Sequence, residues 1–266
     1  MAQPHYDDAQ RLAFGRVAEL YDRARPSYPA EAIDAVLAHG ALAPGTRIVE
    51  VGAGTGKATE LLARRGLDIL GLEPSPEMAA VARVRCAGHP GVQIVEAEFE
   101  QWQPEARFAA VVSVQAWHWI APDVRYVKAH ETLVPGGTLA AIWTLPDWAG
   151  CLARASLRAA YRNAAVDLPA DFPMHPDSEP MRLAGHWDAE IEADGRFTGP
   201  EVRAHPWSET YTSEGYVALL QTHQDHILLR TAERARLLEA IGRAIDADGG
   251  SLELPLVTYV CLARRI

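Results

Sequence analysis

The chain reads as an α/β protein built on a doubly wound, mostly parallel sheet of seven strands, and three observations predict this. From Thr46 to Trp143, short apolar runs alternate with helix-length segments. The first run, Ile48-Val49-Glu50-Val51, enters a loop with three glycines at alternating positions, Gly52-Ala53-Gly54-Thr55-Gly56, and Lys57 opens a helix behind it. The second run ends about twenty residues further on in Gly71-Leu72-Glu73-Pro74, an acid at a strand end.

The elements follow in order. A first helix is expected over Asp7–Tyr21, where Leu12, Val17, Leu20 and Tyr21 fall near helical spacing. Arg25-Pro26-Ser27-Tyr28-Pro29 breaks it, and Ala30–His39 reads as a second helix. The alternation then runs strand 47–51, helix 57–65, strand 68–73, helix 76–86, strand 92–96, strand 108–114, helix 123–133 and strand 138–143. Ile48-Val49, Val111-Val112 and Leu139 to Trp143 are unbroken apolar runs, as strands need when helices cover both faces. Such β-α-β alternation gives parallel neighbours with right-handed crossovers. Pro135-Gly136-Gly137 reads as a tight turn feeding the fifth strand.

Beyond Trp143 the character changes. Residues 146–200 are rich in Pro, Trp, His and Asp, with helical patches at Leu152–Val166 and around His186–Ala193, and read as an insertion over the sheet's ligand face. Order returns with a strand over Val202–Thr210, helices over 213–222 and 231–247, and a last strand over Leu256–Ala263. The expected organisation is a helical lid at 1–45, a core at 46–145, a helical cap at 146–200, and a final part, 201–266, that completes the sheet.

Hydrophobic residues at 48% and charged ones at 23% leave ample material for a core in 266 residues. A formal net charge of −10, with no basic run longer than Arg64-Arg65 or Arg264-Arg265, argues against a nucleic-acid partner. Cys86, Cys151 and Cys261 are widely spaced and form no C-x-x-C pattern, which argues against a disulfide framework or zinc site and fits a reducing cytosol. Residues 1–8 show no signal-peptide pattern, and the longest mostly apolar stretch, Ala109–Ala121, is too short to cross a bilayer. A soluble cytoplasmic protein, monomer or homodimer, is expected.

Three ligand classes compete for the glycine loop. A dinucleotide site wants G-x-G-x-x-G, but here the third glycine arrives one residue early. A phosphate-binding P-loop wants G-x-x-x-x-G-K-[ST], yet Val51 holds the first glycine position and Ala58 the hydroxyl position. The remaining pattern is E-x-G-x-G-x-G. Glu50 would repel a pyrophosphate but suits the ammonium of a methionine moiety, and Glu73 suits a ribose diol.

With these residues the chain resembles the class I S-adenosyl-L-methionine (SAM) dependent methyltransferases, over most of its length. It is most similar to a small-molecule branch that includes trans-aconitate methyltransferase-like proteins. Four further segments carry the resemblance: Tyr21 to Pro29, similar to a Y-x-x-x-R-P-x-Y-P pattern; Glu73-Pro74-Ser75-Pro76-Glu77-Met78; Val114 to Trp119; and Leu133-Val134-Pro135-Gly136-Gly137. The resemblance implies a Rossmann-like fold, SAM as cofactor and S-adenosyl-L-homocysteine (SAH) as product. It implies that Gly52, Ala53 and Gly54 present backbone to the methionine part with Glu50 beside them, and that Glu73 and Pro74 border the ribose. Glu98 and Phe99 would meet adenine, although an Asp is usual where Glu98 stands. Gln115 and Ala116 would lie beside the methionine moiety. Tyr21, Arg25 and Tyr28 would close over the cofactor, with Arg25 available to its carboxylate. Ala109 departs from an Asp that commonly follows the aromatic residue opening strand four.

For the transfer itself, His118 is the candidate base, because histidine titrates near neutral pH. Trp117, Trp143 and Trp187 are the candidate acceptor-binding residues, and the aromatic insertion implies a flat or hydrophobic small-molecule acceptor. His223 and His226 lie three apart on a later helix, and no metal site is assigned to them because Asp225 would point elsewhere. The acceptor stays open among carboxylate, hydroxyl, amine and carbon. A different class of function, a SAM-binding protein without transfer or a scaffold for a cyclisation, shares the same loop residues.

Overall fold

The computed structural model of the chain describes residues 18–166, 168, 169, 172–179 and 187–266. Its elements are α1 (Ala18–Ala24), α2 (Ala30–Gly40), β1 (Arg47–Val51), α3 (Lys57–Ala63), β2 (Asp68–Leu72), α4 (Pro76–Arg85), β3 (Val92–Val95) and β4 (Phe108–Val114). A single 3₁₀ turn, Trp117–Trp119, leads to α5 (Pro122–Thr132) and β5 (Leu133–Pro146). Then come α6 (Arg154–Ala164), α7 (Trp187–Asp194), β6 (Phe197–Thr212), α8 (Ser213–Leu220), the one-turn α9 (Gln224–Ile227), α10 (Thr231–Ala247) and β7 (Ser251–Arg265).

One seven-stranded sheet has the order β3-β2-β1-β4-β5-β7-β6. The first five strands are parallel. β7 runs antiparallel to β5, and β6 antiparallel to β7. The strand order reverses between β1 and β4, so a crevice opens beyond their carboxyl ends. Alternation along the strands sorts the core. Ile48, Ile69, Val112, Ile142 and Leu262 meet α2 and α3 on one face, and Val49, Leu70, Val111, Leu139 and Cys261 meet α5 and α7 on the other.

Several expected boundaries move. The first helix continues to Ala24, where Arg25-Pro26 ends it; its expected start, with Leu12 and Val17, and His186 lie outside the described residues. Strand five begins at Leu133, not 138. Leu133 pairs with Phe108 and Thr138 with Ala110, and Pro135-Gly136-Gly137 bulges out between them with Gly136 at φ 71°. β6 and β7 are far longer than the periodicity indicates. Leu256 to Arg264 pair with β5, while Ser251 to Pro255 pair with β6 alone, so the ribbon projects past the end of β5. In its projecting part, exposed Ser208, Thr210, Ser251 and Glu253 alternate with more buried residues and hide the strand signal.

Segment 146–200 divides between two packing environments. α6 lies on α10, with Leu157, Ala160 and Tyr161 in a cluster shared by Leu219, Leu237 and Ile241. α7 instead seals the β6–β7 side of the main sheet through Trp187 and Ile191. A buried ion pair pins α7 to α5: the Arg125 guanidinium, 3% exposed, donates to Glu190 and lies 4.7 Å over the Trp187 ring. The Tyr126 hydroxyl also donates to Glu190, at 3.1 Å. Removing one partner strands the other charge in the core. Glu190→Ala is therefore expected to cost about 2 kcal/mol in urea unfolding, whereas Arg125→Met with Glu190→Leu recovers most of it. Equal losses in the single and double variants would show that the ion pair carries nothing.

Candidate active site

The site begins where β1 ends. Gly52, Gly54 and Gly56 have φ of 73°, 58° and 81°, a region costly for any residue with a Cβ. The amides of Gly52 and Ala53 both donate to the Leu72 carbonyl, at 2.9 and 3.0 Å, which folds the loop over the end of β2. A methyl group on Gly52 would come within 2.3 Å of the Ala116 Cβ, while one on Gly54 would meet nothing within 4 Å. The loop is thus packed tightly against the exit of β4 and open beside Gly54.

Two acids lie under the loop. Glu73 accepts the Gly54 N–H at 2.8 Å and the Ser75 N–H at 2.9 Å; burial raises its pKa against the pull of those bonds. Glu50 is 1% exposed, and its Oε2 has no hydrogen-bond partner among the described residues. Burial, with the Glu73 charge adding to it, pushes its carboxyl up to about 8. The buried hydroxyls of Thr59 and Thr55 lie close to the Glu50 and Asp22 carboxyls. Buried polar atoms are seldom left unsatisfied, so this cluster fits a polar ligand that brings its own donors.

A pocket lies at the ends of β4 and β5. Gln115 and Thr144 supply its strand-end residues. Gln115 sits at φ 59°, held by its amide to the Ile142 carbonyl at 2.8 Å and by its Nε2 to the Thr144 carbonyl at 2.9 Å. A non-glycine residue in that region is strained, and such strain concentrates at functional sites. The N-terminal segment contributes Tyr21, Arg25 and Tyr28; the projecting ribbon gives Tyr211, Leu254 and Leu256; Leu219, His223 and Met174 complete the lining. α1 bridges both halves. Its Asp22 accepts from Arg85 at 2.6 Å, and Arg85 also donates to the Thr55 carbonyl of the loop. Arg25 donates to the Thr222 hydroxyl at 2.8 Å and to the Thr222 carbonyl at 3.0 Å.

The expected site residues therefore divide. Glu50, Gly52, Ala53, Gly54, Glu73, Pro74, Gln115 and Ala116 meet around the loop, and Tyr21, Arg25 and Tyr28 border the pocket. Glu98 closes a turn, bonded to Gln101 at 2.5 Å, and the Phe99 ring packs against Trp102 and Trp117 in the core. The three tryptophans need correction: Trp117, Trp143 and Trp187 are buried in the main core, with Trp143 and Trp187 stacked at 4.5 Å, and none lines the pocket. His118 is corrected too. Its Nδ1 accepts the Trp143 indole N–H at 3.2 Å, and burial, aided by the Arg125 charge, takes its pKa down to about 4. An imidazole so weakly basic and so placed is unsuited to accept a proton at neutral pH. Asp225 does not point away from its neighbours: it bonds His226 Nδ1 at 2.9 Å, and His226 Nε2 pairs with the Tyr161 hydroxyl at 2.8 Å. Of the later histidines, His223 alone reaches the pocket. Tyr211, Thr222 and the ribbon leucines escaped the sequence reading, because nothing local to them signals a site; long-range pairing brings them there.

Comparison with known proteins bears on the family of the chain. A methyltransferase domain family matches residues 48–137. An uncharacterised methyltransferase of Mycobacterium tuberculosis is 30% identical over 265 residues, covering 96% of each chain. The trans-aconitate 2-methyltransferase of the same species is 33% identical over 172 residues, covering 62% of this chain and 59% of that one. Among solved structures, a SAM-dependent methyltransferase from Geobacter sulfurreducens in complex with SAH superposes with a TM-score of 0.54 at 16% identity, covering 96% of this chain and 98% of that one.

Glu50 makes stability depend on pH. Its pKa rises from 4.5 in the ordinary state to about 8 in the fold, so folding takes up a proton between those values. The contribution is fully present below the lower value and is lost as pH rises through the upper one. Relative to Glu50→Gln, the wild type should lose on the order of 1 kcal/mol or more of unfolding free energy between about pH 5 and pH 8. Parallel pH profiles for the two proteins would show that Glu50 is not buried as described.

Proposed function

The chain belongs to the class I SAM-dependent methyltransferases, and we propose that it moves the SAM methyl group to a small organic acceptor held in the pocket above β4 and β5. The observation that carries the reading is Glu50, a buried acid with one carboxylate oxygen lacking a hydrogen-bond partner among the described residues, lying beneath an open glycine loop whose next strand is followed by Glu73. When bound, SAM supplies an electrophilic methyl on a sulfonium. The chain's own residues then do four things. Glu50 receives the amino-acid ammonium and gives up its proton to do so. Glu73, already oriented by two backbone N–H bonds, has lone pairs left for a ribose diol. Gln115 and Ala116 set the depth of the methionine part. α1, tied to the loop through the Asp22–Arg85 pair, and Arg25 just beyond it, bonded to Thr222 after α8, close the site and exclude water.

The pocket lining has no well-placed base. His118 faces the core, and burial together with the Arg25 charge holds His223 well below its ordinary value. Positioning is the source of rate left to this site, and effective molarities on the order of 10⁵ M or more make that adequate.

Calorimetry with SAH, SAM and NAD tests the cofactor roles. SAH should bind at about −8 kcal/mol, a micromolar constant, and Glu73→Ala should weaken it about tenfold or more. Unchanged affinity in a folded Glu73→Ala protein would place the ribose elsewhere. Amide exchange in residues 18–28 should slow when SAH binds; equal rates would leave α1 a fixed part of the fold. Once SAH release from a metabolite panel identifies an acceptor, His118→Ala should keep turnover within about threefold, where loss of a true base costs roughly 10²-fold or more.

A further inference from the structure

Arg25 is the one cation among the described residues that line the pocket, and no acid lines it with Arg25. Two of its nitrogens are spent on Thr222, which is itself 0% exposed and donates its hydroxyl to the Leu219 carbonyl at 2.6 Å. The guanidinium also lies 4.9 Å from the centre of the Tyr21 ring. Among the described residues it forms no ion pair. A cation this constrained, with its third nitrogen uncommitted, lacks a counter-charge. Across the pocket, the buried Tyr211 hydroxyl has no partner either. Met174, Leu219, Leu254 and Leu256 make much of the remaining wall apolar.

We propose that the pocket takes its acceptor as a single carboxylate on an apolar body, with Arg25 reading the charge and Thr222 as the positioning residue that aims Arg25. This rests on the methyl-transfer reading above and narrows its substrate class. Arg25 would supply one arm of a charge-assisted pair, and the Tyr211 hydroxyl a second donor. A polycarboxylate fits badly, because its further charges would lie against leucine and methionine with no cation to meet them. The chemistry closes without a base. Transfer to a carboxylate oxygen forms one C–O bond and breaks one S–CH₃ bond, whose electron pair stays on sulfur, and no proton has to leave.

The test is calorimetric competition in saturating SAH with octanoate, octanamide, octylamine and trans-aconitate. SAH binding is measured first, and its failure would sink the methyltransferase-site reading rather than this one. With SAH bound, octanoate should bind at least about tenfold tighter than each of the other three. That preference over octanamide, measured with each variant saturated in SAH, should fall to within about twofold in Arg25→Gln. Thr222→Val, which keeps the charge but frees the guanidinium, should lose most of the preference, and Thr222→Ser should restore it. The proposal is overturned if octanamide, octylamine or trans-aconitate matches octanoate, or if no probe binds. It is equally overturned if the preference survives Arg25→Gln, or if that variant loses SAH affinity tenfold, which would assign Arg25 to the cofactor.

Discussion

The site depends on one close approach. Gly52 passes so near Ala116 that any side chain on it would overlap the exit of β4, and its amide shares the Leu72 carbonyl with that of Ala53. This contact joins the ends of β1, β2 and β4 at the point where the strand order reverses. It forces the left-handed turns at Gly52 and Gly54, turns the Gly54 N–H onto Glu73, and sets where α3 starts. The strain at Gln115 belongs to the same junction, since the residue before Ala116 must leave β4 sharply to make room for the loop. The cofactor cradle is therefore a property of three strand ends together and not of a flexible glycine loop.

From that junction the two faces of the sheet diverge in purpose. On one, Trp117, Trp143, Trp187 and the Arg125–Glu190 pair make a dense aromatic core, and His118 is drawn into it by the Trp143 indole. On the other side of the strand ends, the β6–β7 ribbon overshoots β5 and brings Tyr211, Leu254 and Leu256 toward the N-terminal segment. On the proposed reading, the core holds the cofactor end while the ribbon and α8 shape the acceptor end, an arrangement in which acceptor choice could change on an unchanged fold.

What the sequence makes legible follows the range of the interactions. Strands β1 to β4 are readable almost to the residue, because buried parallel strands are largely apolar runs and β4 stands where its pattern puts it, at Phe108–Val114. The loop acids are readable because one strand end and one glycine turn define them locally. The pocket is not, for two reasons. Tryptophan and histidine are ambiguous, serving core and site equally, and here burial claims Trp117, Trp143 and His118. The residues that do face the pocket are assembled from seven separate stretches, and only the sheet register brings Leu254 opposite Glu209 and Leu256 opposite Trp207. The extent of β6 and β7 escaped for a related reason: past the end of β5, one face of the ribbon is solvated and its alternation carries polar residues that mimic a loop.

The missing base is then a consequence of the architecture. The 3₁₀ turn beyond β4 is anchored by Trp117, which is 1% exposed, and its next side chain, His118, accepts the Trp143 indole N–H. Its pKa of about 4 records that setting. His223 reaches the pocket from the far side, yet it shares that space with Arg25, whose charge opposes a second cation. A fixed guanidinium and a proton-accepting imidazole work against each other in one small cavity, and the bonds to Thr222 settle the contest in favour of the guanidinium. On the carboxylate proposal, a site built this way would select acceptors that arrive already ionised, and alignment over the strand ends would be the protein's main contribution to rate.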